Sequence, residues 1–492
     1  MSAHVNVIVV GGGAAGLAAA AEVERHGLTC QLLEAQARLG GRIHSAPVAD
    51  DVPFDRGAQM INGDMTEVLA LARTAGLHCA PIPATGRALC VIDGEVMDRD
   101  ALISEQEMEE LLHNQVRRWD SPSQILRSLW RIYHWWTSPW DSFGEAKRGV
   151  QHVVRRQTAP KGSLAAMIER LLLDEEDAAL VTSILTEHYG ADPATLDAKA
   201  FHAGLDRYAS ERDDLEFHFP AGMGAIVDAL AAQLAHHPTL ETAVTSIRAE
   251  RSGLRVITDG RTWHADRVIV AAPPPVARQI EWDIENAEML IPLLDAFQGG
   301  DLIKTALVYD TAFWRLNGWS GDVSFDDPSG LAVADTSFDD GSLPRLTAFL
   351  GGPTARARAA LPHETRQSRL LADLARAFGD QARHPCAIHE ANWVDDPWSA
   401  GGYNASVRLG GIPDAAAKLA QWHGPVRFAG AELDTTFAGY VEGAIRNGRT
   451  VAMGVAQELK QGSQSDERLP QPADIRRVSH PEPHLLQKEA SG

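Results

Sequence analysis

The chain has 492 residues, a length greater than one hydrophobic core usually organises, so we predict two domains. Its apolar fraction of 45% is typical of a soluble globular protein. Its formal charge of -21 disfavours binding to nucleic acid and to anionic membrane surfaces. The four cysteines lack CxxC spacing, which disfavours a zinc site and a disulfide framework, predicts no bound metal, and favours a reducing cytoplasm.

The N-terminal segment predicts a strand, a helix and a second strand. Val5–Val10 is an almost purely apolar run, typical of a central parallel strand. Small and apolar residues then recur at helical spacing over Ala14–His26, and Cys30–Leu33 follows as the second strand. We expect no secretion signal, because the first strand begins within a few residues of the N-terminus, and no membrane span, because the apolar stretches are too short.

A glycine pattern occupies the turn between the first strand and the helix. Gly11, Gly13 and Gly16 fill the GxGxxG positions, which allow a tight turn, close approach of a pyrophosphate and close helix packing. Ala15 is expected to join these cofactor contacts. Glu34, at the end of the second strand, is placed to bind ribose hydroxyls and disfavours a 2′-phosphate. The pattern predicts a dinucleotide site but does not choose between nicotinamide and flavin.

The remaining chain predicts a discontinuous organisation. Short strands return over 240–280, and a strand, a glycine-rich turn and a helix follow over 426–459. A tryptophan-rich stretch at 119–140 favours core or oligomer contact, with a substrate entrance or a membrane contact left open. We predict a nucleotide-binding domain from 1–83, 218–290 and 392–460, a substrate-binding domain from 84–217 and 291–391, and a disordered polar tail at 461–492.

Residues 33–42, LEAQARLGGR, allow a choice of cofactor. This block resembles the flavin amine oxidase superfamily, which includes the monoamine and polyamine oxidases. The resemblance implies an α/β fold with a Rossmann-like FAD-binding domain and a mixed α+β substrate-binding domain. It also implies that Arg38, Gly40, Gly41 and Arg42 line the pyrophosphate and ribityl part of FAD, and that Ala35 contacts the cofactor.

Three further blocks carry the resemblance. Residues 424–449 resemble the last FAD-binding strand, turn and helix of the family. Residues 242–247 resemble the strand that pairs with adenine, although an ordinary strand is an equally good interpretation. Residues 57–63 resemble polyamine oxidases more than amino-acid oxidases, which disfavours an α-amino-acid substrate. The FAD contacts implied by these blocks are Gly57, Ala58, Gln59, Met60, Val244, Gly430, Glu432 and Val441; Glu432 is expected to accept a hydrogen bond from a ribityl or phosphate-side hydroxyl.

Four residues are candidates for the reacting centre. The resemblance places Tyr403 and Tyr440 as aromatic walls around the substrate nitrogen, with Trp393 against the flavin. Lys304 lies in an apolar strand, LIKTALVY, where a buried ammonium is costly; the family lysine holds a water that assists reaction with oxygen. Ordinary packing for the tyrosines and a solvent-reaching lysine are the alternatives. Gly402 stands where mammalian monoamine oxidases carry the flavin-linked cysteine, which predicts noncovalent FAD.

The predicted reaction is the oxidation of an amine C–N bond to an imine. The imine is hydrolysed to a carbonyl product, and oxygen is reduced to hydrogen peroxide. The expected partners are a small amine and molecular oxygen, with a homodimer possible. A desaturase or an L-amino-acid oxidase on the same fold is the nearest alternative, and a non-catalytic FAD-binding scaffold is the alternative of another class.

Overall fold

A computed structural model describes residues 4–47, 53–82, 85–98, 159–171, 175–210, 212, 216–338 and 340–467. The tryptophan-rich stretch 119–140 lies outside these residues. The strands are β1 (His4–Val10), β2 (Cys30–Leu33), β3 (Ser45–Ala46), β4 (Phe54–Asp55), β5 (Met60–Ile61), β6 (Ala80–Pro81), β7 (Arg87–Ile92), β8 (Glu95–Asp98), β9 (Phe217–His218), β10 (Val244–Ala249), β11 (Leu254–Thr258), β12 (Arg261–Val270), β13 (Glu281–Asp283), β14 (Phe297–Gly300), β15 (Leu302–Val308), β16 (Trp319–Phe325), β17 (Leu331–Asp335), β18 (Arg345–Gly351), β19 (Ala387–Asn392), β20 (Gly402–Val407) and β21 (Val426–Phe428).

Helices cover the sheets that these strands form. They are α1 (Ala14–Arg25), α2 (Thr66–Thr74), α3 (Leu164–Ile168), α4 (Glu175–Tyr189), α5 (Ala198–Leu205), α6 (Gly224–Ala231), α7 (Pro274–Ala277), α8 (Ala287–Asp295), α9 (Phe313–Leu316), α10 (Gly352–Ala359), α11 (His363–Phe378), α12 (Ala415–Ala420) and α13 (Val441–Glu467).

The first large sheet places β1 between β12 and the edge strand β2. Its order is β13-β10-β11-β12-β1-β2, with β21 also paired to β12, and β1 runs parallel to both β2 and β12. Val7 and Val9 face a core that includes α1 and α13, whereas Ile8 and Val10 face a second core that includes α8. Burial on both faces explains why this strand is apolar throughout.

Helices α1 and α13 pack closely beneath this sheet. A Cβ atom added at Gly448 of α13 would lie 2.2 Å from the Ala15 carbonyl oxygen of α1, so the contact requires glycine. Helix α13 continues to Glu467. The prediction of a disordered tail from residue 461 is therefore wrong for 461–467, where the chain extends the last helix, and residues 468–492 lie outside the described part of the chain.

The second large sheet lines one wall of a deep cavity. Its order is β19-β15-β18-β17-β16-β7-β8. Strand β15 sits between β18 and β19, so that Lys304 is aligned with Phe349 and Ala391. Ile303 and Leu307 face the core shared with α11, and Leu302 and Ala306 face the smaller cluster that contains Trp393. Lys304 lies two positions from both Leu302 and Ala306, so it is on the same face of β15. From there its side chain lines the cavity.

Candidate active site

The glycine turn after β1 forms one end of a deep cavity. Gly11 has φ +104, and a Cβ atom at Gly16 would lie 1.9 Å from the Gly11 carbonyl oxygen, so both positions require glycine. A Cβ atom at Gly13 would meet only one neighbour within 4 Å, at 3.8 Å. The turn thus leaves open space at the N-terminus of α1, where backbone amides and the helix dipole favour a phosphate.

Glu34 closes this end of the cavity. Its carboxylate accepts hydrogen bonds from the Gly12 amide at 2.6 Å and the Gln36 amide at 2.8 Å. Burial raises the pKa of Glu34, against the effect of these bonds. A buried carboxylate at the end of the second strand is the arrangement that binds ribose hydroxyls in dinucleotide-binding folds.

The cavity has a volume of about 750 Å³, within the range of small-molecule and cofactor sites. It runs from the glycine turn to β15 and β20. Most of the site residues predicted from the sequence line it together: Gly11, Gly13, Ala15, Glu34, Ala35, Gly41, Arg42, Gly57, Ala58, Gln59, Met60, Val244, Lys304, Trp393, Tyr403, Gly430, Tyr440 and Val441.

Three predicted cofactor contacts do not line the cavity. Gly16 packs beneath the glycine turn. The Arg38 guanidinium donates hydrogen bonds to the backbone carbonyls of Leu39, Gly41 and Ile43, so it holds the shape of the loop that carries Gly41.

Glu432 is the third of these residues, and its expected bond to a ribityl or phosphate-side hydroxyl finds no support in the structure. Its carboxylate accepts hydrogen bonds from both terminal nitrogens of Arg42 and from the Ala405 amide. Burial alone would raise the pKa of Glu432, but the paired Arg42 outweighs it and the pKa is lowered. Glu432 therefore positions Arg42, which does line the cavity.

Lys304 is fully enclosed on the cavity wall. Its side chain is 1% exposed, so the alternative of a lysine that reaches solvent is wrong. The Nζ atom donates a hydrogen bond to the Gly57 carbonyl at 2.9 Å and lies 5.4 Å from the Phe349 ring centroid. Burial lowers the pKa of Lys304 to about 7, against the attraction of Asp55. The amine thus exchanges protons near neutral pH.

The two predicted tyrosines line the same cavity from different elements. Tyr403, on β20, donates its hydroxyl hydrogen to Glu187 at 2.6 Å, and its carbonyl accepts from Arg42 at 2.9 Å. Tyr440 precedes α13 and stacks on Tyr208 with ring centroids 4.7 Å apart and planes 24° apart. Each ring is therefore fixed by a neighbour that contacts it directly.

Trp393 supports the cavity wall opposite the glycine turn. Its indole nitrogen donates to the Arg56 carbonyl at 2.8 Å, and a Cβ atom at Gly57 would lie 3.3 Å from the indole ring. Packing of the indole on Gly57 thus places this segment beside Lys304.

Glu187 and Tyr208 were not predicted from the sequence. Glu187 lies near the end of α4 and lines the cavity, yet nothing in its local sequence marks it as functional. Tyr208 stacks on Tyr440 from a segment 232 positions earlier in the chain. Neither pairing has a signal in the local sequence, because each depends on chain segments that meet only after folding.

The residues present fit an FAD molecule. The glycine turn provides the phosphate site, Glu34 the ribose site, and the backbone of 57–60 and Gly430 continues the cavity toward Lys304. None of the four cysteines, all of which are free and lie in the described part of the chain, lines the cavity. Gly402, at the position where mammalian monoamine oxidases carry the flavin-linked cysteine, also lines the cavity. These residues suit a flavin held without a bond to cysteine.

The fold and the cavity define a class of dinucleotide-dependent oxidoreductases, and comparisons with known proteins identify the family. A model of flavin-containing amine oxidoreductases matches residues 14–456. The chain is 30% identical over 475 residues to a putative flavin-containing monoamine oxidase, AofH, of Mycobacterium tuberculosis, covering 92% of this chain and 97% of the relative. It is 26% identical over 494 residues to putrescine oxidase of Kocuria rosea, covering 93% and 96%.

Solved structures share the fold. Cyclohexylamine oxidase from Brevibacterium oxydans superposes with a TM-score of 0.75 over 93% of this chain and 99% of that chain, at 23% sequence identity. This chain belongs to the family of flavin-containing amine oxidoreductases. It is an FAD-dependent amine oxidase that oxidises an amine to an imine and reduces oxygen to hydrogen peroxide.

The described residues include neither a membrane-spanning helix nor a cluster of metal ligands. No helix among them combines the length and the apolar character that crossing a bilayer requires. Within the same residues, no three His, Cys, Asp or Glu side chains are grouped so that they could hold a metal ion.

Proposed function

We propose that the amine nitrogen binds between Tyr403 and Tyr440, beside Lys304, and that the substrate lacks an α-carboxylate. The observation that carries this proposal is that these three side chains line one cavity with the glycine turn. When bound, FAD would accept a hydride, that is two electrons and one hydrogen, from the carbon attached to the amine nitrogen, and would pass the two electrons on to oxygen. The two flat rings orient the nitrogen without adding charge.

We assign Lys304 the role of a proton-exchanging group at the reacting end of the cavity. Its Nζ atom is anchored on the Gly57 carbonyl, and burial lowers its pKa to about 7. A group with this pKa donates and accepts protons at neutral pH with little cost. This supports a role in the reaction with oxygen.

The proposal that the substrate lacks an α-carboxylate rests on the arginines that line the cavity. Among the described residues that line the cavity, Arg42 is the one arginine, and its terminal nitrogens bind Glu432 and the Tyr403 carbonyl. An α-amino acid would therefore find no free guanidinium in this part of the site. This supports amines over amino acids.

We assign the FAD-binding domain to residues 1–83, 218–290 and 392–460, and the substrate-binding domain to 84–217 and 291–391. All strands of the first large sheet come from the first set of segments. The second sheet takes its strands from the second set, apart from the last residue of β19. We also propose a cytoplasmic location and a homodimer, which cell fractionation and light scattering test.

The experiment is a titration of the purified, FAD-loaded protein with a panel of primary, secondary and polyamines under nitrogen. We expect at least one amine to bleach the flavin absorbance, and oxygen to restore it with one equivalent of hydrogen peroxide. L-amino acids should leave the spectrum unchanged. Bleaching by L-amino acids but not by amines would overturn the assignment of substrate.

The tyrosine roles need their own variants. Tyr440→Phe keeps the flat ring and should reduce FAD at a rate within about threefold of the unsubstituted enzyme, whereas Tyr440→Ala should be slower by about 10–100-fold because the nitrogen is no longer oriented. Equal rates for the two variants would remove Tyr440 from the proposed site.

A further inference from the structure

Glu187 is a buried acid in the cavity wall with an unusual environment. Its side chain is 4% exposed, it lies on α4 two residues from the helix C-terminus, and it lines the cavity beside Tyr403. A helix C-terminus carries partial negative charge, so this position does not stabilise a carboxylate. Its partner in the structure is the Tyr403 hydroxyl, at 2.6 Å.

Some other buried acids of the described residues have a cation beside them, whereas buried Glu34 and Asp55 each accept at least two hydrogen bonds from amide or hydroxyl groups. Glu432 is paired with Arg42 and Asp335 with Arg315, each at N–O distances of 2.6 Å or less. Within the described part of the chain, no lysine, arginine or histidine lies within 4.0 Å of the Glu187 carboxylate. A buried carboxylate without a cation is costly.

Nearby titratable groups do not supply the missing positive charge. His188 is partly buried, and the loss of solvation lowers its pKa to about 4, which leaves the imidazole uncharged at neutral pH. Lys304 lines the same cavity but gives its hydrogen bond to the Gly57 carbonyl. Burial raises the pKa of Glu187 to about 7, against the bond from Tyr403, as expected for an acid that lacks a cationic partner.

We propose that Glu187 is an anionic subsite that receives the positively charged nitrogen of the substrate and places it against Tyr403. Aliphatic amines resemble the lysine side chain, with pKa values near 10, so they arrive protonated at neutral pH. An ammonium group would supply the cation that the carboxylate lacks, and the Tyr403 ring beside it offers a cation–π contact. Glu187 thereby selects cationic ligands over neutral ones of the same shape. The inference rests on the proposed substrate site but not on turnover.

The test uses the FAD-loaded protein at pH 8.5 and a pair of ligands of the same shape. Choline carries a quaternary ammonium, and 3,3-dimethylbutan-1-ol has a neutral carbon in its place. Binding of each is measured from the change in flavin absorbance. Glu187→Gln keeps the size of the side chain and removes the charge, and it should weaken choline binding by at least about tenfold while the neutral alcohol changes less than about twofold.

Glu281→Gln is the matched control, because Glu281 is exposed and lies outside the cavity. It should leave both ligands within about twofold of the unsubstituted protein. If Glu187→Gln does not retain FAD, Glu187→Asp keeps a carboxylate and should still prefer choline.

Three results would overturn the inference: no binding of choline to the unsubstituted protein, equal weakening of both ligands by Glu187→Gln, or loss of the choline preference in Glu187→Asp. A failure of amine oxidation is detected separately, since the amine titration under nitrogen would then leave the flavin spectrum unchanged even where choline binds.

Discussion

The two ends of the cavity are built in different ways. The phosphate site at the nucleotide end consists of backbone, because glycines at fixed spacing hold the turn between β1 and α1, and Glu34 adds one side chain beside it. The reacting end consists of side chains from β15, β20, α4 and the start of α13, which bring together Lys304, Tyr403, Glu187 and Tyr440. A backbone site is specified within one short stretch of sequence, whereas a side-chain site depends on how distant segments pack.

Arg42 joins the two ends. It follows the glycines at 40–41, yet its guanidinium binds Glu432 and the Tyr403 carbonyl. Changes at the nucleotide end should therefore remove the cofactor altogether, while changes at the reacting end should leave FAD bound and alter its reactions.

The largest effect is expected at the glycine turn. Gly16→Ala places a Cβ atom 1.9 Å from the Gly11 carbonyl oxygen, so the turn must shift and FAD binding should be lost. Gly454→Ala is the matched control, because a Cβ atom in the exposed part of α13 meets nothing within 4 Å. Absorbance at 450 nm per protein after purification measures bound FAD. A yellow Gly16→Ala protein with unchanged affinity would contradict the backbone origin of the site.

The residue that links the two ends should give the next largest effect. Arg42→Met leaves the buried Glu432 carboxylate without its cation, which should lower the free energy of unfolding by about 3–5 kcal/mol. The double variant Arg42→Met/Glu432→Gln removes the stranded charge and should recover part of the loss. Denaturant unfolding measures both. A double variant no more stable than Arg42→Met would show that the charge pair is not the cause.

A change confined to the reacting end should keep the cofactor. Lys304→Met should bind FAD normally and be reduced by amines at a similar rate, but its reaction with oxygen should slow by about 100-fold. Stopped-flow absorbance separates the two half-reactions. Lys418→Met, an exposed lysine on α12, is the control and should change neither. Equal slowing of both half-reactions would remove the assigned role of Lys304 with oxygen.

The smallest effect is the pH dependence of stability. Burial lowers the pKa of Lys304 from 10.5 to about 7, so between these values the unfolded chain binds the proton more strongly than the folded chain. This lysine's contribution to stability is therefore greatest at high pH and is lost as pH falls through 7. The melting temperature of the unsubstituted protein minus that of Lys304→Met should rise from pH 6.5 to pH 9.5. A constant difference would mean that the pKa is not lowered.

The sequence predicted the nucleotide end more completely than the reacting end. Gly11, Gly13 and Glu34 could be placed from their spacing after a strand, and all three line the cavity. Arg38 and Glu432 were expected to contact FAD, but one holds loop carbonyls and the other holds Arg42. The residue types indicated the region of the site. The direction of each long side chain could not be predicted, because it depends on partners up to 390 positions away in the sequence.

The sequence by itself determined the cofactor class, the first βαβ unit and the identity of Lys304, Tyr403 and Tyr440 as candidates. The βαβ unit and Lys304 follow from local spacing and from an apolar strand that carries one lysine, whereas FAD and the two tyrosines follow from the resemblance to the flavin amine oxidases. Tertiary structure alone decided that Glu187 meets Tyr403, that Tyr208 backs Tyr440, and that Lys304 is enclosed rather than exposed. The physical reason is that the burial of a side chain and its contacts with distant residues depend on how separate chain segments pack. Those contacts exist only once the two sheets have packed together.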